Sequence, residues 1–287
     1  MRMTTSKILR LSGGLLAAVA LLGMGTAGAE PTLERGRYLV EGPAGCGNCH
    51  TPQGPDGPVA DMGLAGMMVE KNDMFTAIAS NITPGSRVAD WTDEQLGRAI
   101  REGIRPDGSI IGPPMPFGLY KGISDDDLMS MVMYLRQVPA VDHDPGQSVY
   151  NIPLPPAYGP PVISVAEVPH GVTLEYGAYL AGPIAHCTEC HTTFGPKGPM
   201  FDTHLGAGGF EFHGPWGVSV APNITPTRLA QYSDAELDDM IRKGVRPDEA
   251  RMLPPMPYGY LAKMTDEDAA AITLYLRSLP ALPDGGQ

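Results

Sequence analysis

Sliding the 287-residue sequence against itself by 141 positions, the step from Cys46 to Cys187, superimposes its two halves. Thr32-Leu33-Glu34, Gly36, Tyr38 and Leu39 fall on Thr173-Leu174-Glu175, Gly177, Tyr179 and Leu180. Cys46-x-x-Cys49-His50 falls on Cys187-x-x-Cys190-His191, and Gly103-x-Arg105-Pro106-Asp107 on Gly244-x-Arg246-Pro247-Asp248. Pro113-Pro114-Met115-Pro116 meets the segment around Met256, and Tyr134-Leu135-Arg136 meets Tyr275-Leu276-Arg277. Only Asn81-Ile82-Thr83-Pro84 slips, by one residue, against Asn223–Pro226. So little drift means one small unit built twice. The repeat predicts a first domain over residues 30–140 and a second over 171–287, with segment 141–170 between them. Eight prolines in residues 139–169 make that connection either a semi-rigid linker or a strap packed along the two surfaces.

Each unit reads as mostly α. A first helix is expected from about Leu33 to Val40. A second is announced by Thr92-x-x-Gln95 and by Ser233-x-x-Glu236, capping-box patterns that satisfy free N–H groups at a helix start. Leu96 and Ile100, matched by Leu237 and Ile241, form its apolar stripe, and Gly103 or Gly244 closes it. A last helix opens at Ser124 or Thr265 on a run of acids, favourable near a helix N-terminus, and ends before Pro139 or Pro280. The loops between are rich in glycine and proline, with almost no alternating strand pattern. Such a unit buries too little by itself, and a large apolar group held inside it would supply the missing interior.

The ends and the charge narrow the setting. Arg2, Lys7 and Arg10, the apolar run Leu11 to Gly23, and Ala27-Gly28-Ala29 read together as a secretory signal over residues 1–29. The run is too short to span a bilayer comfortably. The chain is therefore expected in the periplasm, with at most peripheral membrane association, through a partner or, as the lesser alternative, through a signal left uncleaved as an N-terminal anchor. Taking the signal's three basic residues from the 20 Lys+Arg leaves 17 against 32 Asp+Glu, a net charge of −15. This balance disfavours nucleic acid and anionic lipid, and either suits basic protein patches or simply keeps the protein soluble.

An exported chain with four cysteines would by default form disulfides. The spacing Cys46-Gly47-Asn48-Cys49-His50 and Cys187-Thr188-Glu189-Cys190-His191 points elsewhere, to covalent attachment of c-type haem. Two thiols three residues apart on one helical turn each bond a porphyrin vinyl group, and the next residue, His50 or His191, sits under the iron. Alone, one such motif also fits a zinc half-site or a redox dithiol. Recurrence inside a complete repeated unit favours two covalently bound haem c groups.

Electron shuttling calls for a second axial ligand, usually histidine or methionine. None of the five histidines outside the motifs has a histidine at the repeat position. Met62, Met67, Met68, Met74, Met200 and Met240 are unrepeated, as expected of adaptable core filler. Met115 and Met256 are repeated, each 65 residues after its motif histidine, and flanking prolines restrict their backbone. They are the predicted sixth ligands. The repeated loops at Pro55/Pro196 and Pro58/Pro199 are expected to carry the acceptor for each histidine's other ring nitrogen. Arg105 and Arg246 are candidates for propionate pairing, helix capping or a surface ion pair. Asn81-Ile82-Thr83 and Asn223-Ile224-Thr225 match an N-glycosylation pattern, but recurrence before proline suits a structural turn better.

The string CGNCH or CTECH, NITP, [WY]-[ST]-D-x-x-L, G-x-RPD, PPMP[FY]G and YLR resembles the multihaem cytochrome c subunits of bacterial membrane-associated dehydrogenases, once per half. The resemblance implies class I cytochrome c folds with His/Met-ligated iron, and no catalysis on this chain. It implies as partners a catalytic subunit oxidising an alcohol, aldehyde, sugar acid or molybdenum-hydroxylase substrate, and a downstream cytochrome or oxidase. The best-known members carry three haem domains, whereas two motifs stand here. The competing reading is an enzyme. A dihaem peroxidase needs one iron with an open site, and a thiosulfate-oxidising cytochrome uses an extra cysteine; neither pattern is present.

Overall fold

The computed structural model describes residues 30–285 except Asp56 and Lys197; the expected signal, residues 1–29, lies outside the described residues. In the first half, α1 (Leu33–Glu41) leads into α2 (Cys46–His50), followed by β1 (Gln53–Gly54), β2 (Gly57–Pro58), β3 (Met67–Lys71) and β4 (Phe75–Ala79). Three helices complete it: α3 (Asp93–Glu102), α4 (Phe117–Tyr120) and α5 (Asp125–Leu135). After β5 (Val149–Tyr150), the second half repeats the order. It has α6 (Leu174–Tyr179), α7 (Cys187–Cys190), β6 (Phe194–Gly195), β7 (Gly198–Pro199) and α8 (Phe201–His204). There follow β8 (Glu211–Gly214), β9 (Gly217–Val220), α9 (Pro226–Leu229), α10 (Asp234–Asp238), α11 (Tyr258–Leu261) and α12 (Asp266–Ser278).

The helix ends follow from their sequences. Thr32 and Ser124 accept from the backbone N–H three residues on, and Thr173 and Thr265 do the same in the second half. Both expected capping boxes form, at Thr92/Gln95 and at Ser233/Glu236. Gly103 ends α3 at φ 69°, and Gly244, at φ 64°, ends the π-turn Asp239–Lys243 that continues α10; both are left-handed conformations that glycine adopts without strain. The halves differ after α6, where the helix widens into a π-turn over Leu180–Ile184. Gly42 donates its N–H to Tyr38 O in the first half; Pro183, at the same repeat position, has no N–H to give.

The core of each half is the crossing of its first and last long helices. Gly36 lies so close to α5 that a β-carbon there would stand 1.8 Å from Ser130 O, and one on Gly177 would stand 2.0 Å from Ala271 O. Only glycine permits this approach. Leu39, Val40, Met131 and Val132 fill the first crossing, and Leu180, Ile184, Ala271 and Ile272 the second, all essentially inaccessible. Each fully buried Leu or Ile contributes about 1.5–3 kcal/mol.

One feature departs from the expectation, and a second picks between the two readings of the connection. Antiparallel hairpins β3–β4 and β8–β9 occupy the stretch after each cysteine motif, where almost no strand was expected. Segment 141–170 is a packed strap: β5 adds to β4, Tyr150 Oη donates to Pro113 O (2.7 Å), and Tyr158 Oη donates to Ile111 O (2.9 Å) while its ring stacks on Phe117. Prolines suit a strap, which needs few backbone donors of its own. Among the described residues no helix is long and apolar enough to cross a membrane.

Candidate functional site

Each cysteine motif is a single helical turn entered through a left-handed residue, Gly45 at φ 54° and His186 at φ 40°. One turn places Cys46 beside Cys49, and Cys187 beside Cys190, on a common face. All four thiols are free and half-buried. Burial pushes their pKa values up, to about 12 for Cys46 and Cys190 and about 11 for Cys49 and Cys187. A redox dithiol of the Cys-x-x-Cys type runs on a lowered thiol pKa, so these turns are poorly suited to that chemistry. A shared zinc site is also unsupported, because among the described residues the cysteines do not converge as a metal-holding group. The residues that do converge, Asp127, Glu167 and His170, are occupied by Arg35, Tyr179, Ser124 and one another.

The motif histidines are set for ligation. His50 Nδ1 lies 2.7 Å from Ser80 O, and His191 Nδ1 lies 2.7 Å from Pro222 O. A carbonyl only accepts, so Nδ1 carries the proton and Nε2 presents its lone pair. Burial lowers both imidazole pKa values, against the opposing pull of these hydrogen bonds, and keeps the rings neutral. The donor set therefore fits haem c: two thiols on one turn and one neutral imidazole with its outer nitrogen fixed. The acceptors correct the expectation that the Pro55/Pro58 and Pro196/Pro199 loops would supply them; they come from the residue just before each Asn-Ile-Thr-Pro stretch.

Those stretches are structural turns. Asn81 is 3% exposed; its side-chain oxygen accepts from Thr83 N and Oγ1, and its amide donates to Val141 O (2.8 Å) and His143 O (3.0 Å). Asn223 accepts from Thr225 N and donates to Leu282 O. The amide that a glycan would need is thus engaged. Arg105 folds onto its own loop, donating to Ser109 Oγ and Ile110 O. Burial and neighbouring Arg87 lower its pKa. Arg87 reaches Ser80 Oγ, beside the His50 acceptor, a proximity that the sequence repeat does not mark.

Met115 and Met256 are half-buried against the same hydrophobic core as Cys46 and Cys187. Each follows a cis Pro–Pro peptide, Pro113–Pro114 or Pro254–Pro255, and accepts at its carbonyl from the N–H two residues on, Phe117 or Tyr258. Both loops thus hold the same backbone shape, although only the first is covered by the strap tyrosines.

These features define a class, and comparison with known proteins agrees. Residues 175–280 match the cytochrome c family, so the second half holds a cytochrome c domain, the kind of domain that binds haem c covalently. More widely, the chain is similar to cytochrome c subunits of dehydrogenases. It is 30% identical over 276 residues to the fructose dehydrogenase cytochrome subunit of Gluconobacter japonicus, covering 90% of this chain and 54% of that protein. It is 26% identical to the alcohol dehydrogenase (quinone) cytochrome c subunit of Gluconobacter oxydans, covering 94% and 61%. A diheme cytochrome c-type protein of Cereibacter sphaeroides is 27% identical, over 83% of both chains. The chain spans between half and two thirds of the two dehydrogenase subunits.

Proposed function

We propose that this chain is a periplasmic dihaem cytochrome c that passes electrons from a dehydrogenase catalytic subunit to a downstream respiratory cytochrome or oxidase. In this reading residues 30–140 and 171–287 are tandem class I domains joined by the proline-rich segment 141–170. Cys46 and Cys49, then Cys187 and Cys190, hold two haem c groups; His50 with Met115, and His191 with Met256, are the axial ligands. The observation that carries it is the duplicated histidine lock, Nδ1 to a backbone carbonyl at 2.7 Å in both halves.

Haem bound at these turns would supply a one-electron couple, and the cysteine turns with His50 and His191 would orient it. The Nδ1 hydrogen bonds fix the tautomer and raise the basicity of Nε2. Met115 and Met256 would each offer the bound haem a thioether, a ligand that favours the reduced state. The same His/Met pair offered in both halves would leave neither haem an open position, which favours electron carriage over peroxide chemistry. An acidic surface suits docking to basic patches on the partners.

Two measurements test this. Pyridine haemochrome analysis of the purified protein is expected to give two haems per chain. The oxidised protein is expected to show the far-red charge-transfer band of sulfur-ligated ferric haem, about half of it lost in Met115→Ala and the rest in Met256→Ala. One haem per chain, or a high-spin site in the resting protein, refutes the dihaem carrier.

A further inference from the structure

The two halves grip each other through one contact made twice. Tyr38 of α1 reaches the start of α12, donating its hydroxyl to Asp268 Oδ2 at 2.5 Å and accepting from Thr265 N at 3.3 Å. Tyr179 of α6, at the same repeat position, reaches the start of α5. It donates to Asp127 Oδ2 at 2.7 Å and accepts from Ser124 N at 3.2 Å. Each first-helix tyrosine thus completes the N-terminal cap of the other half's last helix. The carboxylates and Tyr179 are 7% exposed or less. Burial and the facing carboxylate raise the pKa of Tyr38 to about 12, so the phenol stays a donor across the physiological range. One asymmetry is present: Arg35 makes a two-pronged pair with Asp127 and touches Tyr176, its own counterpart in the repeat.

Alongside these latches the cysteine turns lie against the opposite half. A β-carbon on Gly47 would meet Tyr260 Oη at 2.5 Å, and one on Gly122 would meet the Pro183 ring at 2.7 Å. Tyr120 stands edge-on to His186 at 6.1 Å. Cys49 is near enough to Glu189 to feel its charge, and Cys190 is near enough to feel that of Cys49. The two attachment turns therefore face each other across the latched interface.

We infer that Tyr38, Asp268, Tyr179 and Asp127 are positioning residues for electron exchange between the two haem sites, holding the attachment turns at one separation and orientation. The inference rests on the dihaem carrier reading. The step is the simplest available: one site is oxidised as the other is reduced, and no bond or proton moves. A hydrogen bond carries no electron here; it preserves the geometry through which the electron passes.

The test uses the full holoprotein as Tyr38→Phe, Tyr179→Phe and the double variant, each keeping the ring and losing the hydroxyl. The readouts are the excitonic circular-dichroism couplet of the haem Soret band and the intramolecular electron-transfer rate after partial photoreduction. Each lost hydroxyl shifts the docked-to-loosened ratio by roughly fivefold to tenfold. The double variant is expected to lose most of the couplet and to slow the exchange by at least about tenfold, with haem content and the far-red band unchanged. Asp268→Asn, which keeps an acceptor for Tyr38, is expected to retain the couplet, and Asp268→Ala to reduce it. An unaltered couplet and rate in the double variant overturn the inference while leaving the carrier reading intact. A haem count other than two overturns the carrier reading itself. Should the double variant not fold, the single variants and the Asp268 pair decide alone.

Discussion

Gly36 marks the closest approach of two helices in the first half, and replacing it tests the packing most severely. A β-carbon at Gly36 would lie 1.8 Å from Ser130 O, 2.4 Å from Ser130 C and 3.0 Å from Tyr134 Cβ. The first two atoms are backbone, so no rotamer change relieves the contact. Bringing 1.8 Å out to even 3.0 Å requires α1 and α5 to part by 1.2 Å. Parting loosens the apolar seam of Leu39, Val40, Met131 and Val132 and stretches the hydrogen bond from Thr32 N to Ser130 Oγ. Overpacking of this kind typically costs about 1–3 kcal/mol. The strained hydrogen bond adds about 1 kcal/mol, and the better helix propensity of alanine returns about the same. Gly36→Ala is therefore expected to destabilise the first half by about 1–3 kcal/mol. Gly177→Ala is expected to act similarly on the second, and the two effects to add. Gly118, exposed in α4 with nothing within 4 Å of where a β-carbon would stand, is the control, expected within about 0.5 kcal/mol of wild type. Urea unfolding of the holoprotein followed by far-ultraviolet circular dichroism reads all three. A Gly36→Ala variant as stable as the Gly118→Ala control would falsify the close crossing.

Other outcomes follow from the same geometry. Tyr150→Phe removes the hydrogen bond to Pro113 O, worth about 1 kcal/mol; under the dihaem proposal, it is expected to speed imidazole displacement of a Met115 ligand severalfold, with Met256 unaffected. Equal effects at both haems would refute a strap acting on Met115 alone. Asn81→Ala strips the donors from the carbonyls of Val141 and His143 and is expected to cost about 2–3 kcal/mol; intact mass should show no glycan on wild-type Asn81. Burial lowers the His186 pKa to about 4, so the unfolded chain binds the extra proton between its own pKa, about 6.5, and about 4. Stability therefore falls as pH drops through that window. His186→Asn, which tolerates the left-handed backbone and does not titrate, is expected to flatten the fall; an unchanged pH profile of unfolding would show that His186 does not contribute.

What the sequence disclosed was whatever it wrote locally. The capping boxes at Thr92 and Ser233, the glycine stops at Gly103 and Gly244, and the span of α1 need only a few neighbouring residues to specify them. The cysteine–histidine turns are legible for the same reason. The histidine acceptors were not, because Ser80 O and Pro222 O arrive from about thirty residues away and any residue has a carbonyl. The hairpins escaped because Met67–Lys71 carries no clean alternation: none of its side chains is fully buried. The latches were half visible. Tyr38 and Tyr179 recur at the repeat spacing, but a repeat says nothing about which half receives them.

The reciprocal latch joins surfaces that are copies of one another, an arrangement ordinarily met between identical subunits related by a two-fold axis. One half presents both the tyrosine and the capped carboxylate, so the surface is complementary to itself. Between separate chains, these four hydrogen bonds and a few tyrosine contacts would make a weak dimer. Joining the copies through segment 141–170 replaces dilution by an effective concentration on the order of millimolar, and an association that would be fleeting in free solution becomes a standing one. Covalent continuity also fixes the stoichiometry: every molecule carries one of each site, already paired.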